Sequence, residues 1–319
     1  LVKEVPSMSE LKTAVLIPCF NEERTVVSVI KGFQEVLPDA TVFVLDNNST
    51  DRTAELSGSA GATVISVLQP GKGNVMRRAF ADIEADVYVM IDGDGTYDVG
   101  IAPEMVQVVA DGSTDLVNCV RVLPSGTHSR RGHSFGNRVL TGSVRRVFGV
   151  SSTDMLSGFK AMSKRFVKSM PVFSKGFEIE TEIAVHAFNL NSPMSEIEGE
   201  YIDRPEGSFS KLSTFKDGWR ILRTIVSLAR HGRPLFFYGI ISLLLMLAAV
   251  ILGIPLFVTF AHTHKVPRLP TAVLITGLVL LSALSVVAGL ILDSVTKNRR
   301  ELRMLAYLST PGTVRRCGS

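Results

Sequence analysis

The hydrophobic rhythm of the chain changes twice. From Thr13 onward, short apolar runs alternate with longer stretches of helical spacing. The runs "TAVLIP", "TVFVLD", "TVISV", "DVYVMID" and "DLVNCV" are rich in Val and Ile and read as strands. Between them, Glu22 to Val36, Thr50 to Ser59, Gly73 to Glu84 and Ile101 to Ala110 carry helical periodicity. Strands alternating with helices predict a mainly parallel α/β sheet covered on both faces, and such sheets bind ligands beyond the carboxyl ends of their strands. After about residue 122 the rhythm gives way to the basic, Gly-rich stretch "PSGTHSRRGHSFGNRVLTGSVRRVFG".

The second change is to unbroken apolarity. Leu235 to Phe260 and Thr271 to Leu292 carry no charged residue, and each is long enough to cross a hydrocarbon core of roughly 30 Å as a helix. A pair of buried core helices is the alternative, but core helices seldom run so long without a polar stripe. Just before the first run, "TFKDGWRILRTIVSLARHGRP" sets Trp219, Leu222, Ile225, Val226 and Ala229 against Lys216, Arg220, Arg223 and Arg230. That pattern predicts an amphipathic helix lying in the membrane interface.

Charge then orients the anchor. Arg220, Arg223, Arg230 and Arg233 precede the first span, and Lys297, Arg299, Arg300 and Arg303 follow the second. The loop between them holds only Lys265 and Arg268. The positive-inside rule places both termini and the N-terminal domain in the cytoplasm, giving a multi-pass protein of the cytoplasmic (inner) membrane. The expected division is a catalytic domain over 1–212, the interfacial helix over 213–233, a transmembrane hairpin over 234–293 and a basic tail over 294–319. Leu1 to Leu11 is polar and too short for a signal peptide. The three cysteines, an odd number, suit a reducing compartment. The net charge of +4 is concentrated beside the spans, which points to anionic lipid and gives no indication of nucleic acid.

Candidate chemistry collects at the strand ends. Strand one ends in Pro18-Cys19-Phe20-Asn21-Glu22, strand two in Asp46-Asn47-Asn48, and the fourth in Asp92-Gly93-Asp94. An EF-hand loop counted from Asp92 would need Gly and Glu where Tyr97 and Pro103 stand. A dinucleotide fingerprint would need Gly where Asp98 stands, and the Gly71-Lys72-Gly73 stretch lacks P-loop spacing. A plain turn remains open. Two carboxylates one residue apart can instead share a hard divalent cation, whose other positions go to water and phosphate oxygens. The glycines would let backbone and diphosphate approach closely.

The segments "IPCFNEE", "LDNNSTDRT", "GKGNVMRRAF", "VMIDGDGTYD", "LSGFKAMS", "GFEIETE" and "YIDRPEGSFSKLSTFKDGWRIL" resemble the inverting family 2 glycosyltransferases. More narrowly they resemble the polyprenyl-phosphate branch, which includes dolichol-phosphate mannose synthase and bactoprenol glucosyltransferases. The resemblance covers roughly residues 12 to 305. It implies a GT-A (Rossmann-like) catalytic domain that binds a nucleotide sugar over the first strands. By that likeness Pro18, Asn21, Glu22 and Asn48 shape the nucleotide pocket and Asp46 accepts hydrogen bonds from the base. Asn47 and Asn48 depart from the Asp-Asp-x-Ser-x-Asp of many relatives. Asp51 lies in the same stretch, with helix capping as its alternative role. Lys72 and Gly93 lie near the nucleotide, and Asp92 and Asp94 hold Mg2+ or Mn2+ against the diphosphate. Thr96 stands where some relatives place a Gln ligand.

The acceptor implied by the resemblance is a polyprenyl phosphate, such as undecaprenyl or dolichol phosphate, and anion must approach anion. At about 4 Å and an effective dielectric near 20, each unit-charge pair costs roughly 4 kcal/mol. Arg121, Arg130, Arg131 and Arg138 can offset that cost, and a guanidinium fork suits phosphate better than lysine would. The resemblance makes Arg121 and Arg131 the leading pair, since relatives hold the acceptor phosphate with arginines of this region. Arg204, Ser210 and Lys211 form a second group facing diphosphate or headgroup. Glu178, Glu180 and Glu182 of "GFEIETE" could order the arginines, touch the sugar, or form a solvated or salt-bridged helix start. A UDP sugar is the favoured donor, and a two-span anchor leaves room for a homo-oligomer. The rival readings are a family 2 enzyme acting on a sugar or glycolipid hydroxyl, and a non-catalytic membrane adaptor with the same fold.

Overall fold

The computed structural model describes residues 11–122, 154, 156–176, 178–202, 234–266 and 268–312. These form two compact units, one containing the N-terminal domain together with the chain from Leu302, the other running from Phe215 to Glu301.

The first unit is built on a seven-stranded sheet. In chain order its elements are β1 (Thr13–Cys19), α1 (Val26–Val36), β2 (Thr41–Asp46), α2 (Thr53–Ser59), β3 (Thr63–Ser66), α3 (Lys72–Asp82) and β4 (Val87–Met90). There follow α4 (Ala102–Ala110), β5 (Leu116–Val122), β6 (Lys160–Ser163), α5 (Lys164–Ser169), α6 (Ile179–Leu190) and β7 (Met194–Glu200). The strand order is β3-β2-β1-β4-β6-β5-β7. Strands β1 to β4 pair in parallel, as the alternating rhythm predicts. β6 runs antiparallel to both β4 and β5, so the sheet is mixed, and β7 then pairs in parallel with β5.

Alternation along each strand sends side chains to two cores. Leu16, Met90 and Met162 pack against α3, α5 and α6 on one face. Val15, Ile17, Val89 and Phe159 pack against α1 and α4 on the other. Lys160 interrupts this pattern, being an ammonium at 1% exposure within a strand otherwise filled by Ala, Met and Ser.

A buried carboxylate ties the far end of the chain into this unit. Asp115 accepts both arms of Arg165 at 2.7 and 2.9 Å, the Ser163 hydroxyl at 2.6 Å and the Tyr307 hydroxyl at 2.5 Å. The last turns before Ser309, expected to lie in a basic tail, are therefore helical and anchored by a charge-assisted hydrogen bond.

The second unit contains α7 (Pro234–Thr263) and most of α8 (Leu269–Ser309). Both helices are long and apolar enough to cross a membrane, and little of their most apolar stretches is buried. The pair of serines Ser242 and Ser282 joins them by a 2.8 Å hydrogen bond. Gly289 allows close contact, since a Cβ there would lie 3.1 Å from Tyr238 Cβ. The amphipathic segment 213–233 lies outside the described residues.

Candidate active site

The site forms where β1, β2 and β4 end side by side. Cys19 lies opposite Asp46 in the parallel register, and the Asn47 amide continues the ladder by donating to the Cys19 carbonyl at 2.9 Å. Gly93 lies close against β1, since a Cβ would meet Cys19 Sγ at 2.6 Å, and its carbonyl accepts from Thr25 Oγ1 at 2.7 Å. The acidic turn is thus pressed onto the end of β1.

The β1 and β2 exit loops are laced by local side-chain hydrogen bonds. Asn21 and Asn48 both adopt positive φ, a conformation Asn tolerates better than most residues. The Asn21 side-chain oxygen accepts from the Thr50 amide at 2.8 Å, while the Asn21 amide donates to Ser49 Oγ at 3.0 Å. The Glu22 amide donates to buried Thr53 at 2.8 Å. Asp51 accepts from the Thr53 amide and hydroxyl and from the Glu23 amide. Burial works against its charge, yet those donors hold its carboxyl below the usual range. Asp51 is a brace for these loops.

Asn47 is an amide for a physical reason. Its amide nitrogen donates to the carbonyls of Val67 and Gln69, both at 2.8 Å, and its oxygen accepts from the Gly71 amide at 2.6 Å. A carboxylate has no proton for those two carbonyls. Asn48 donates to the Leu68 carbonyl at 2.8 Å. Asp46 is different: it is buried, and its Oδ1 has no partner among the described residues.

The turn after β4 brings Asp92 and Asp94 together with a buried lysine. Asp94 is 6% exposed, and one of its oxygens accepts from both the amide and the hydroxyl of Thr96. Thr96 therefore orients Asp94. Asp92 packs against Gly158, where a Cβ would lie 2.1 Å from its Oδ2. Its other oxygen takes the Lys72 ammonium, which also reaches Glu180. Burial alone would discharge Lys72, but the two carboxylates outweigh it and raise its pKa above the ordinary lysine range.

Lys72 is held by a backbone clamp. Gly71, at φ 113°, and Gly73 press on the 174–175 backbone, where Cβ atoms would meet the carbonyl oxygens of Lys175 and Ser174 at 2.0 and 2.2 Å. Glu182 secures that segment by accepting the Phe173 and Ser174 amides, both at 2.9 Å. The glutamates of "GFEIETE" thus divide: Glu178 begins α6, Glu180 pairs with Lys72, and Glu182 braces the clamp.

Arg121, at the end of β5, is engaged by Asp154 through Nε at 2.6 Å and Nη2 at 2.8 Å, and it stacks 5.5 Å from the Tyr201 ring. Tyr201 packs edge-on to Tyr97, whose hydroxyl accepts the Gly158 amide at 2.7 Å. Tyr97 therefore links the wall around Arg121 to the residue that seats Asp92. Arg130, Arg131, Arg138, Arg204, Ser210 and Lys211 lie outside the described residues.

Glycosyl transferase family 2 matches residues 14–170. Over 248 residues the chain is 32% identical to glycosyltransferase AglJ of Haloferax volcanii, covering 77% of this chain and 80% of that one. The chain belongs to glycosyltransferase family 2. It is also similar to the dolichyl-phosphate hexose transferase of the same organism, at 23% identity over 69% of this chain and 95% of that one. Glucosyl-3-phosphoglycerate synthase of Mycobacterium tuberculosis has a similar fold, with a TM-score of 0.56 and 24% identity over 69% of this chain and 80% of that one. That likeness establishes the GT-A architecture, and crystals of that protein hold Mn2+ and UDP.

In this family 2 chain no group of three His, Cys, Asp or Glu is arranged to hold a metal among the described residues. Asp92 and Asp94 are two hard oxygen donors on one turn, which suits a Mg2+ or Mn2+ ion completed by water and diphosphate. Sequence reasoning named Asp92, Asp94, Lys72 and Arg121 but missed Asp154, Gly158 and Lys160. "LSGFKAMS" held the signal for the last two, since a lysine inside a strand and a glycine before it both break the expected pattern.

Proposed function

We propose that the protein transfers a sugar from a nucleotide-sugar donor, a UDP sugar in preference, to a polyprenyl phosphate, with inversion at the anomeric carbon. The product is a β-linked polyprenyl-phosphate sugar made at the cytoplasmic membrane face, with the catalytic unit and both termini in the cytoplasm and 213–233 in the interface. The observation that carries this reading is the Asp92–Lys72–Glu180 constellation at the strand ends of a chain that also contains two apolar helices of membrane-spanning length.

Asp46 offers its unpartnered oxygen to an N–H of the base, while Pro18, Asn21, Glu22 and Asn48 shape the surrounding loops. Asp92 and Asp94 would hold Mg2+ or Mn2+, which when bound neutralises the departing nucleoside diphosphate. Lys72 adds a fixed positive charge beside it. A lipid phosphate is already ionised, so the reaction needs no dedicated base. The chain's task is to align acceptor and donor and to offset their repulsion. Arg121 is committed to Asp154, which shifts acceptor recognition toward Arg130, Arg131 and Arg138, with Arg204, Ser210 and Lys211 at the diphosphate or headgroup.

Purified full-length protein in detergent, given a panel of nucleotide sugars and a polyprenyl phosphate with and without Mn2+, tests the reading. Metal-dependent formation of a lipid-phosphate sugar supports it. Turnover unaffected by chelation, or transfer confined to sugar hydroxyls, refutes it.

A further inference from the structure

Lys72 stands between two glycines whose backbone is pressed against a neighbouring segment. Gly71 and Gly73 hold the flanking residues against the carbonyls of Lys175 and Ser174, and the Gly73 amide donates to the Lys175 carbonyl at 3.2 Å. The side chain is 8% exposed, and its ammonium lies between Asp92 and Glu180, whose side chains are 30% and 5% exposed. Glu180 holds Lys72 with one oxygen, while its other, Oε2, is buried without a hydrogen-bond partner among the described residues. That spare acceptor lies on the carboxylate that already holds the ammonium.

We propose that Lys72 is the resident counter-ion of Asp92, which an arriving divalent cation displaces, and that Glu180 is the positioning residue that keeps the displaced ammonium beside the donor diphosphate. This rests on the assignment of Asp92 and Asp94 as metal ligands. Asp92 and Glu180 share the Lys72 ammonium, and Asp94 stands on the same turn as Asp92, so an arriving cation meets carboxylates that outnumber the ammonium Asp92 engages. When Asp92 turns to the cation, the Lys72 ammonium gives up one carboxylate oxygen. Glu180 Oε2 replaces it within the same buried space, and the clamp spares the backbone any movement. The lysine thus serves twice: it shields Asp92 while the donor is absent and faces the diphosphate once the donor is bound.

The test is Mn2+ binding to the full-length protein in detergent without donor, read by electron paramagnetic resonance. Lys72→Met removes the competitor, so Mn2+ affinity is expected to rise at least about tenfold while UDP affinity in the presence of Mn2+ falls. Glu180→Gln leaves Lys72 to Asp92 alone, so Mn2+ affinity is expected to fall several-fold; the rise in Lys72→Met is the sign that general damage to the site would not produce. The double variant Lys72→Met/Glu180→Gln avoids an unpaired buried carboxylate and decides the matter if Lys72→Met does not fold. Its Mn2+ affinity is expected to be at or above that of the wild type. Mn2+ binding that is unchanged or weaker in folded Lys72→Met, or weaker in the double variant, overturns the inference alone. A wild type that binds no Mn2+ with or without UDP removes the metal assignment and this inference together.

Discussion

Gly158→Ala isolates the seat of Asp92. Gly158 is not in the left-handed region, so alanine introduces no torsional strain, and its effect is steric. The added Cβ would sit 2.1 Å from Asp92 Oδ2 and 2.6 Å from Cγ, where ordinary contacts begin at 3.4 Å. The carboxylate must therefore withdraw by about 1.3 Å, or the strand entry must shift by as much. A misplacement of about 1 Å costs roughly 10²-fold when it falls on the reacting geometry, equivalent to about 2.7 kcal/mol of transition-state stabilisation. Overpacking should cost about 1–3 kcal/mol of stability, enough to lower the melting temperature without unfolding the protein. Steady-state kinetics with donor and lipid acceptor should show kcat/KM down about a hundredfold. The double variant Gly158→Ala/Asp92→Ala should recover stability and stay inactive. A folded Gly158→Ala enzyme within about twofold of wild-type kcat/KM would refute the placement of Asp92 at the chemistry.

Three further outcomes follow from other contacts. Gly73→Ala, whose Cβ would meet a backbone oxygen at 2.2 Å with no soft side chain to yield, should lower stability by about 1–3 kcal/mol in denaturant titrations and weaken nucleotide binding as the Lys72 clamp opens. Asn47→Asp sets a carboxylate against the Val67 and Gln69 carbonyls and should cost about 2 kcal/mol by the same measurement, whereas a neutral result would contradict the donor assignment of its amide. Lys160→Met removes a buried ammonium whose pKa burial lowers to about 8 from 10.5. Below about pH 8 the folded state bears the full cost of that charge. Between about 8 and 10.5 the unfolded chain keeps the proton and the folded chain sheds it, so wild-type stability should rise relative to Lys160→Met by about 3 kcal/mol before levelling. A pH-independent difference between the two proteins would show that Lys160 is charged throughout.

The strand-end site was legible because three β-branched runs stop abruptly in polar residues, and parallel topology places those stops together. The DGDG turn was legible for the same reason. Strand direction was not: β6 reverses the sheet, yet periodicity reports only that a segment is extended. β6 itself was hidden because it is short and carries Lys160, whose ammonium is satisfied by Asn118 from the neighbouring strand. The pairing of Lys72 with Glu180 joins residues 108 positions apart, which no local pattern reveals. The three glutamates of "GFEIETE" look alike in sequence, and only packing separates the partner of Lys72 from the brace of the clamp. Arg121 was read as a leading phosphate ligand, and its pairing through Nε and Nη2 with Asp154, 33 positions away, is a contact no local pattern announces.

The most direct measurement is the fate of the sugar itself. Full-length protein in detergent is incubated with a radiolabelled nucleotide sugar, Mn2+ and a polyprenyl phosphate, and the label is followed into the organic phase. Label should appear there only with the lipid phosphate present, in a form released by mild acid as expected of a sugar phosphate, and should vanish in Asp92→Asn and Asp94→Asn. Label that reaches only sugar hydroxyls, or enters the lipid equally well in those two variants, would contradict the assignment of this site to lipid-phosphate glycosyl transfer.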